Sequence, residues 1–482
     1  MIDHNQTPLL DGIRRYQNRR VVSLDVPGHK QGKSSQELID VFGKDAIAMD
    51  YNASKALDNL ANPISIIQQA QTLAADLFYA KQAYFIVNGT SLAVMAMVLS
   101  VVKANEKIIM PRNVHKSVIN ALVISGAIPI YVDPGIDTQL GISLAMDVED
   151  IQKAIDENPD AKAILINNPT YYGVVTDLKK IMDIAKEANM KVIVDEAHGA
   201  HFTFSDRLPL SGMQAGAALS AVSLHKTGGS LTQSSLLLAG EGVDPNHVLQ
   251  MVNLLQTTSP SYLLMASLDV ARKQLALSGK QRFEKIIGMV EYARQEINNM
   301  GGYIAFSKER ADQKGWYGFD VTKLSIHTHS ANFSGLYVYE KLRDEYGIQI
   351  EFGDVSNILA IVSTGDRFLD IERFVAALSD IRLNPVAYTS KRLKSEYVKP
   401  IVRYTPQQAF YMASRSMPIR KALHHVSAES IMAYPPGIPI VSFGEVITSS
   451  VLDTIEYIQA HNGFLMGAKD PSLETIQIIK EV

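Results

Sequence analysis

The 482-residue sequence contains no cysteine, which excludes disulfide bonds, thiolate metal ligands and a cysteine nucleophile. This absence suits a reducing compartment, and we expect a cytoplasmic location. The sequence also lacks an apolar run of about 18 residues, and its first residues show no basic region followed by an apolar stretch, so we expect neither a membrane span nor a signal peptide. Because the formal net charge is only -4, a nucleic-acid partner is not expected.

What is present is typical of a soluble globular protein. Hydrophobic residues make up 46% of the sequence and charged residues 20%, close to the average for folded domains. The length exceeds what one hydrophobic core normally supports, so several domains are expected. We predict an amino-terminal arm (1–50), a large domain (51–300), a smaller α+β domain (301–390) and a carboxy-terminal domain (391–482).

From about residue 84 to 240, short apolar runs alternate with stretches of helical spacing. This alternation is typical of a mostly parallel sheet covered by helices, so we predict a doubly wound α/β large domain. Two helical stretches, 147–157 and 177–189, open with an acidic residue suited to a helix N-terminus. A long helical region is predicted at roughly 245–300. The predicted strands of the large domain are 107–110, 128–132, 163–166, 191–194 and 221–224, and a short strand is predicted in the arm at 21–26.

One lysine, Lys226, follows a predicted strand within the polar, glycine-rich turn 223–229. Taken alone it would be an ordinary surface lysine. Another predicted strand, 191–194, is followed directly by Asp195 and closely by His198. The carboxyl ends of parallel strands meet at one edge of a sheet, which is where ligands bind in open α/β sheets. We therefore expect Lys226, Asp195 and His198 to share a site.

Two further segments could belong to the same edge. Asn88-Gly89-Thr90-Ser91 precedes an apolar, helix-compatible stretch, and a glycine, two hydroxyls and a helix N-terminus together suit a phosphate group. His115 lies shortly after the predicted strand 107–110. Taken alone, residues 88–91 could be an ordinary helix cap, and His115 could be a structural histidine.

Together the four segments match the needs of pyridoxal phosphate: a lysine to carry it as a Schiff base, an acid for the pyridine nitrogen, a phosphate cup and a flat side chain for the ring. Asp195 is the expected acid, because a carboxylate there keeps the pyridine nitrogen protonated. Glu196 should point to the other side of an extended strand end, so we do not expect it to share that role.

The sequence resembles the ornithine, lysine and arginine decarboxylases of the aspartate-aminotransferase fold, and within them the shorter, arginine-decarboxylase-like bacterial branch. The resemblance implies a pyridoxal-phosphate enzyme of fold type I with additional smaller domains. Seven ordered motifs across nearly the whole chain carry it, at residues 27–32, 88–91, 112–117, 195–198, 223–226, 257–262 and 434–439.

By this resemblance Lys226 carries the cofactor, Asp195 pairs with its pyridine nitrogen and His115 stacks on the ring. His198 stands where the larger members carry tryptophan, and its contact would be near the cofactor's hydroxyl. The residues implied to hold the phosphate are Thr90, Ser91, Ser223 and His225, together with Thr257 or Thr258 reaching across a dimer interface.

The implied reaction is decarboxylation of a basic amino acid, with L-arginine as the first expectation, then lysine and ornithine. Glu445 matches a family acid that faces the substrate, and Glu351 and Asp354 could also supply negative charge. A guanidinium favours a carboxylate that binds it through both oxygens, whereas an ammonium needs only one charged partner. The spacing of these acids in the sequence does not distinguish arginine from lysine or ornithine as the substrate. The resemblance also implies a homodimer or higher homo-oligomer with shared active sites, whereas the decamer of the large, wing-domain-bearing members is not expected.

Other protein classes fit the sequence less well. The four residues from Asp195 to His198 spell the DEAH of some ATPases, but Gly28 and Gly32 are separated by three residues where a phosphate loop needs four. A metal site built on His198 and His201 with Asp195 would need helical spacing to put both histidines on one face. A strand end does not assure that spacing, so no metal is expected. Aminotransferases and aldolases share the same cofactor and core, so the choice of decarboxylation over those reactions rests on the resemblance alone.

Overall fold

The structure is a computed structural model that describes residues 2–311, 313–383, 400–433, 437–460 and 463–480. Within these residues the α-helices are α1 (Pro8–Asn18), α2 (Gln36–Phe42), α3 (Lys44–Ala48), α4 (Ile66–Leu77), α5 (Gly89–Leu99), α6 (Lys116–Ser125), α7 (Val148–Glu157), α8 (Leu178–Glu187), α9 (Gly212–Ala215), α10 (Leu224–Thr227), α11 (Pro245–Leu255), α12 (Tyr262–Met300), α13 (Gly335–Asp344), α14 (Phe368–Leu383), α15 (Pro406–Tyr411) and α16 (Ser449–Ala460).

The strands of the described residues are β1 (Gln82–Ile86), β2 (Lys107–Pro111), β3 (Ile128–Val132), β4 (Ile136–Asp137), β5 (Ile142–Ser143), β6 (Ala163–Asn167), β7 (Val174–Val175), β8 (Lys191–Asp195), β9 (Leu219–Val222), β10 (Ser235–Ala239), β11 (Ile304–Ala305), β12 (Gly318–Phe319), β13 (Lys323–His327), β14 (Phe352–Gly353), β15 (Asn357–Ile361), β16 (Ser414–Pro418), β17 (Ile431–Ala433), β18 (Ile438–Val441), β19 (Leu465–Met466) and β20 (Thr475–Ile479).

The chain forms two compact units. The first comprises Met1–Ser100, Ile193–Asp206 and Leu210–Phe283, and the second comprises Val101–Val192, Arg207–Pro209 and Glu284–Val482. The units interleave along the sequence, and the boundary predicted at 390/391 lies outside the described residues. The division into four domains stays a prediction.

The first unit contains a run of sheet in the order β1-β10-β9-β8. β1 and β10 pair antiparallel, as do β10 and β9, whereas β9 and β8 pair parallel. Every residue of β9 and β10 is buried, as expected of strands covered on both faces. Helices α4 and α5 pack on this sheet, and α11 packs on α5.

The second unit contains the parallel run β6-β2-β3. It also holds an antiparallel sheet in the order β11-β13-β15-β14, with a core that includes the buried Trp316, Phe306 and Phe352. The described residues between 400 and 480 contain the small sheets β16-β20 and β18-β17-β19, around a core with Ile431, Val441 and Ile476.

Most of the predicted large-domain elements are confirmed. Strands 107–110, 128–132, 163–166 and 191–194 appear as β2, β3, β6 and β8. Helices α7 and α8 begin directly after Asp147 and Asp177, whose carboxylates accept hydrogen bonds from Glu149 N and Lys180 N. These side chains satisfy amides that the first helical turn leaves unpaired, which explains why the helices begin there.

One predicted strand was wrong, and another has different bounds. Residues 21–26 form no strand in the structure, and Val22, Leu24 and Val26 are largely exposed. Apolar, β-branched residues do not make a strand without a neighbour to pair with. The strand predicted at 221–224 begins earlier and ends at Val222, because residues 224–227 form the helical turn α10.

The DEAH-ATPase alternative also fails on structure. A phosphate loop joins a strand to a helix, but the described residues before Gln82 contain no strand.

No helix among the described residues combines the length and apolar character needed to cross a bilayer.

Candidate active site

Four chain segments of the first unit meet at one edge of its sheet. In the strand register, Ile86 at the end of β1 pairs with Ser235 at the start of β10, and Leu236 pairs with Val222 at the end of β9. Asp195 at the end of β8 pairs with Ala221. The segments that follow β1, β8 and β9 therefore emerge at the same edge, which is also where β10 begins.

Lys226 lies in the short helix α10, directly after β9. Its Nζ is 2.8 Å from Nε2 of His198, which follows β8 and is 5% exposed. Because β8 and β9 are parallel neighbours, residues that follow their ends come into contact although they are far apart in sequence. The structure therefore brings Lys226 and His198 together, and their roles in a shared site stay a prediction.

Asp195 is the last residue of β8. Burial raises the pKa of its carboxyl group, against the opposing effects of a hydrogen bond from Ala197 N and the positive charge of Lys226. A buried carboxylate is stabilised by a nearby cation. A protonated pyridine nitrogen is such a cation, so Asp195 fits the ring of pyridoxal phosphate.

Glu196 has different partners from Asp195. Its carboxylate accepts hydrogen bonds from Gly212 N at 2.9 Å and from the Ser220 hydroxyl at 2.8 Å. Burial raises the pKa of Glu196 to about 8, and the Asp195 charge adds to the shift. Glu196 therefore supports the start of α9 from within the protein.

Three buried hydroxyls form a cluster at the same edge. Thr90 Oγ1 is hydrogen-bonded to Ser223 Oγ and, at 2.6 Å, to Ser235 Oγ. The three side chains come from α5, from the residue after β9 and from the start of β10. Hydroxyls can donate to phosphate oxygens, so this cluster suits an anionic group.

The N-terminus of α5 adds to this anion site. The Asn88 side chain makes no capping hydrogen bond to the helix and instead accepts a bond from Thr257 N at 3.3 Å. Gly89 has a φ of +77°, and a Cβ there would meet no atom within 4 Å. The Gly89 amide itself donates to the Gln233 carbonyl oxygen at 2.9 Å. A helix N-terminus with open space beside it nevertheless suits a phosphate. Ser91, the third residue of α5, is exposed.

His225 is a neutral base in this environment. Burial lowers its pKa, and the charge of Lys226 lowers it further. Its Nδ1 lies 2.8 Å from the Ser234 carbonyl oxygen. A carbonyl can only accept, so Nδ1 carries the hydrogen and Nε2 is the basic nitrogen.

Thr257 and Thr258 are exposed on the turn between α11 and α12. The Thr257 hydroxyl accepts a hydrogen bond from Ser259 N at 3.1 Å, which shapes the turn. The bond from Thr257 N to Asn88 holds this turn near the N-terminus of α5 in the same chain. A role in a neighbouring subunit stays a prediction.

The remaining predicted site residues lie in the second unit. His115 caps α6, accepting a hydrogen bond from Ser117 N at 3.2 Å. Glu445 forms a buried bidentate ion pair with Arg112, with both N–O distances at 2.7 Å. Oε2 of Glu445 also accepts a bond from Ser442 N at 2.8 Å. The Glu445 carboxylate, which was predicted to face the substrate, is therefore bound by Arg112 and Ser442 in its own unit.

The two other acids considered for the substrate pocket also have protein partners. Asp354 accepts hydrogen bonds from the Tyr172 hydroxyl and from the amides of Ser356 and Asn357. Glu351 accepts one from the Tyr171 hydroxyl at 3.2 Å. The resembling motif 434–439 is described only from Gly437 onward, since 434–436 lie outside the described residues.

His201 takes a structural place. It stacks on Phe283 with ring centroids 5.2 Å apart, and its Nδ1 is 3.3 Å from the Thr227 hydroxyl. In the described part of the chain, no group of three or more histidine, aspartate or glutamate side chains is arranged to hold a metal ion.

Sequence reasoning missed Ser235. It lies 145 positions from Thr90, and its role depends on the antiparallel pairing of β10 with β1 and β9. A local signal was present, because a serine opens the otherwise apolar strand Ser235–Ala239. A polar residue at the start of a fully buried strand suggests a hydrogen-bonding task at that edge.

The fold belongs to the fold-type I class of pyridoxal-phosphate enzymes. The structure of constitutive lysine decarboxylase from Escherichia coli matches with a TM-score of 0.83 and 20% identity, covering 99% of this chain and 82% of that chain. Alanine–glyoxylate aminotransferase from Nostoc sp. matches with a TM-score of 0.53 and 13% identity, covering 76% of this chain and 99% of that chain.

Sequence comparisons narrow the class further. The family model "Orn/Lys/Arg decarboxylase, major domain" matches residues 7–368, and the model of that family's C-terminal domain matches residues 389–468. Arginine decarboxylase of Bacillus subtilis (strain 168) is 42% identical over 488 residues, covering 100% of this chain and 99% of the relative. That of Halalkalibacterium halodurans is 42% identical over 489 residues, with the same coverage. The chain belongs to the Orn/Lys/Arg decarboxylase family of pyridoxal-phosphate-dependent amino-acid decarboxylases.

Proposed function

We propose that this protein decarboxylates L-arginine to agmatine and carbon dioxide, with pyridoxal phosphate carried on Lys226. The observation that carries the residue assignment is the convergence of Lys226, Asp195 and a hydroxyl cluster at one edge of the first unit's sheet. The choice of arginine is supported by relatives named arginine decarboxylase, which are 42% identical over essentially their whole length. Lysine and then ornithine are the alternative substrates.

Each part of the cofactor has a candidate partner. Lys226 is the residue for the covalent link, and Asp195 is the acid for the pyridine nitrogen. The phosphate is assigned to the hydroxyl cluster of Thr90 and Ser223, to the N-terminus of α5 that contains Ser91, and to His225. The assignments of His115 to the ring face, and of Thr257 or Thr258 to the phosphate of a second subunit, rest on the family resemblance.

Bound pyridoxal phosphate would supply an electron sink for the pair released when the bond between Cα and the carboxylate breaks. Asp195 supports this sink by holding a proton on the pyridine nitrogen, since a carboxylate stabilises the adjacent cation. A proton must then be delivered to Cα. His225 and Lys226 are the two candidates, being neighbours in the same helical turn.

The family resemblance supports a proposal for the oligomeric state, and the composition supports one for the cellular location. We propose a homodimer or a higher homo-oligomer with shared active sites, located in the cytoplasm. The absence of cysteine suits that compartment.

The first test combines a product assay with chemical mapping. Purified protein supplied with arginine, lysine or ornithine should release agmatine in preference to cadaverine or putrescine. Borohydride reduction followed by peptide mapping should label Lys226, and Lys226→Ala should abolish turnover. Lys280 on α12, an exposed lysine, offers the matched control Lys280→Ala with unchanged turnover. Cofactor on another lysine, or full activity in Lys226→Ala, would overturn the assignment.

A further inference from the structure

The contact between Lys226 and His198 has a chemical consequence of its own. Their nitrogen atoms are 2.8 Å apart, and His198 is 5% exposed. Two full positive charges at that distance and with little solvent would repel each other strongly. The pair therefore favours one shared proton, held either as an ammonium donating to neutral imidazole or as an imidazolium donating to a neutral amine.

The neighbouring groups of the first unit favour such a shared cation. Asp195 is the acid whose charge interacts with Lys226, and it stabilises one positive charge on the pair. His225 stays neutral beside Lys226, because burial and that same charge lower its pKa. Asp195 thus supplies negative charge close to a single proton on the pair.

A lysine that attacks an aldehyde must do so as the neutral amine, because an ammonium has no lone pair. We propose that His198 is the proton acceptor of Lys226: its Nε2 takes one proton from the Nζ ammonium, and returns it when the lysine is displaced by the substrate amine. The proton moves between two named nitrogens, so no further reactant is needed. The proposal rests on the proposed function, since it assumes that Lys226 is the cofactor lysine.

The residue type matters for this role. Imidazole exchanges a proton near neutral pH, whereas a glutamine amide can make hydrogen bonds but cannot take up a proton. His198→Gln therefore separates proton transfer from simple hydrogen bonding. Its matched control is His201→Gln, because His201 is also buried and contacts Phe283 and Thr227.

The test is reconstitution of the full-length, cofactor-free chain with pyridoxal phosphate. Equilibrium dialysis reports binding, and stopped-flow visible absorbance reports the rate at which the covalent link to Lys226 forms. We expect His198→Gln to bind the cofactor with nearly unchanged affinity but to form the link about a hundredfold more slowly, the size of a lost general base. His201→Gln should form it at the wild-type rate.

A second variant guards against a misfolded first one. His198→Ala should be equally slow, and added imidazole should restore the rate in proportion to its concentration, whereas His201→Gln should not respond. Wild-type linkage rates in His198→Gln, or cofactor affinity lost together with the link, would overturn the proposal. If the wild-type chain itself gave no reducible link at Lys226, the proposed function would fail instead.

Discussion

At the scale of single residues, Asp195 is the acid that we propose for the pyridine nitrogen of the cofactor. Its buried carboxyl group has a raised pKa, and Lys226 supplies the positive charge that opposes the shift. We expect Asp195→Asn to retain bound pyridoxal phosphate but to lose most decarboxylase activity, because a neutral amide cannot keep the pyridine nitrogen protonated. Cofactor content and kcat, measured on the same preparation, check this. Wild-type rates in the variant would remove Asp195 from the site.

Glu445 raises a different question, since sequence resemblance assigns it to the substrate whereas its carboxylate pairs with Arg112. Removing one partner of a buried pair leaves the other charge without compensation. We expect Glu445→Gln and Arg112→Gln each to lower the free energy of unfolding by about 3 kcal/mol. Urea denaturation would measure both.

The double variant Arg112→Gln/Glu445→Gln is the control, because it removes both charges. It should be no less stable than the worse single variant, as expected for residues that act as a pair. A rise in KM for arginine confined to Glu445→Gln, with stability unchanged, would contradict the pairing role and support the substrate role.

At the scale of elements, Glu196, which follows β8, should make the stability of the fold depend on pH. Glu196 joins β8 to α9 through Gly212 and to β9 through Ser220, and burial raises its pKa from 4.5 to about 8. The folded state therefore keeps the proton over a range in which the unfolded state releases it. The stability contributed by neutral Glu196 is fully present below pH 4.5 and is lost as the pH rises through about 8.

We expect Glu196→Gln to flatten the decline of stability between about pH 5 and pH 8, since glutamine does not titrate and can still bond Gly212 and Ser220. The difference in slope should be at most about 1.4 kcal/mol per pH unit. Urea midpoints of the cofactor-free proteins across this range provide the measurement. Parallel pH profiles for variant and wild type would show that Glu196 does not titrate there.

Elements also show where sequence patterns suffice. β2, β3, β6 and β8 were predictable because each is a short apolar run bounded by polar residues. Residues 21–26 have a similar local pattern but form no strand. The difference is the presence of a pairing neighbour, which a local pattern does not report.

At the scale of the whole molecule, the proposal of shared active sites makes a quantitative prediction. If Thr257 or Thr258 serves the site of the other subunit, a mixed dimer of a Lys226→Ala chain and a Thr257→Ala/Thr258→Ala chain has both lesions in one site. Its other site is intact. Random reassembly of equal amounts makes about half of the dimers mixed, so activity should return to roughly a quarter of wild type.

The structure also suggests the competing outcome, because Thr257 is hydrogen-bonded to Asn88 of its own chain. If the threonines serve their own chain, no mixed dimer contains an intact site. Activity no higher than that of the threonine variant alone, with subunit exchange confirmed by mass spectrometry, would rule out the sharing.

The sequence by itself determined the α/β core, the family and the segments that carry Lys226, Asp195 and Thr90. This was possible because apolar runs, polar strand ends and glycine turns are local features, defined by residues that are neighbours in the sequence. Only the tertiary structure decided that Ser235 joins the hydroxyl cluster, that His198 contacts Lys226 and that Glu445 pairs with Arg112. The last two partners are 333 positions apart. Such contacts depend on strand register and on the packing of distant segments, and no local pattern encodes them.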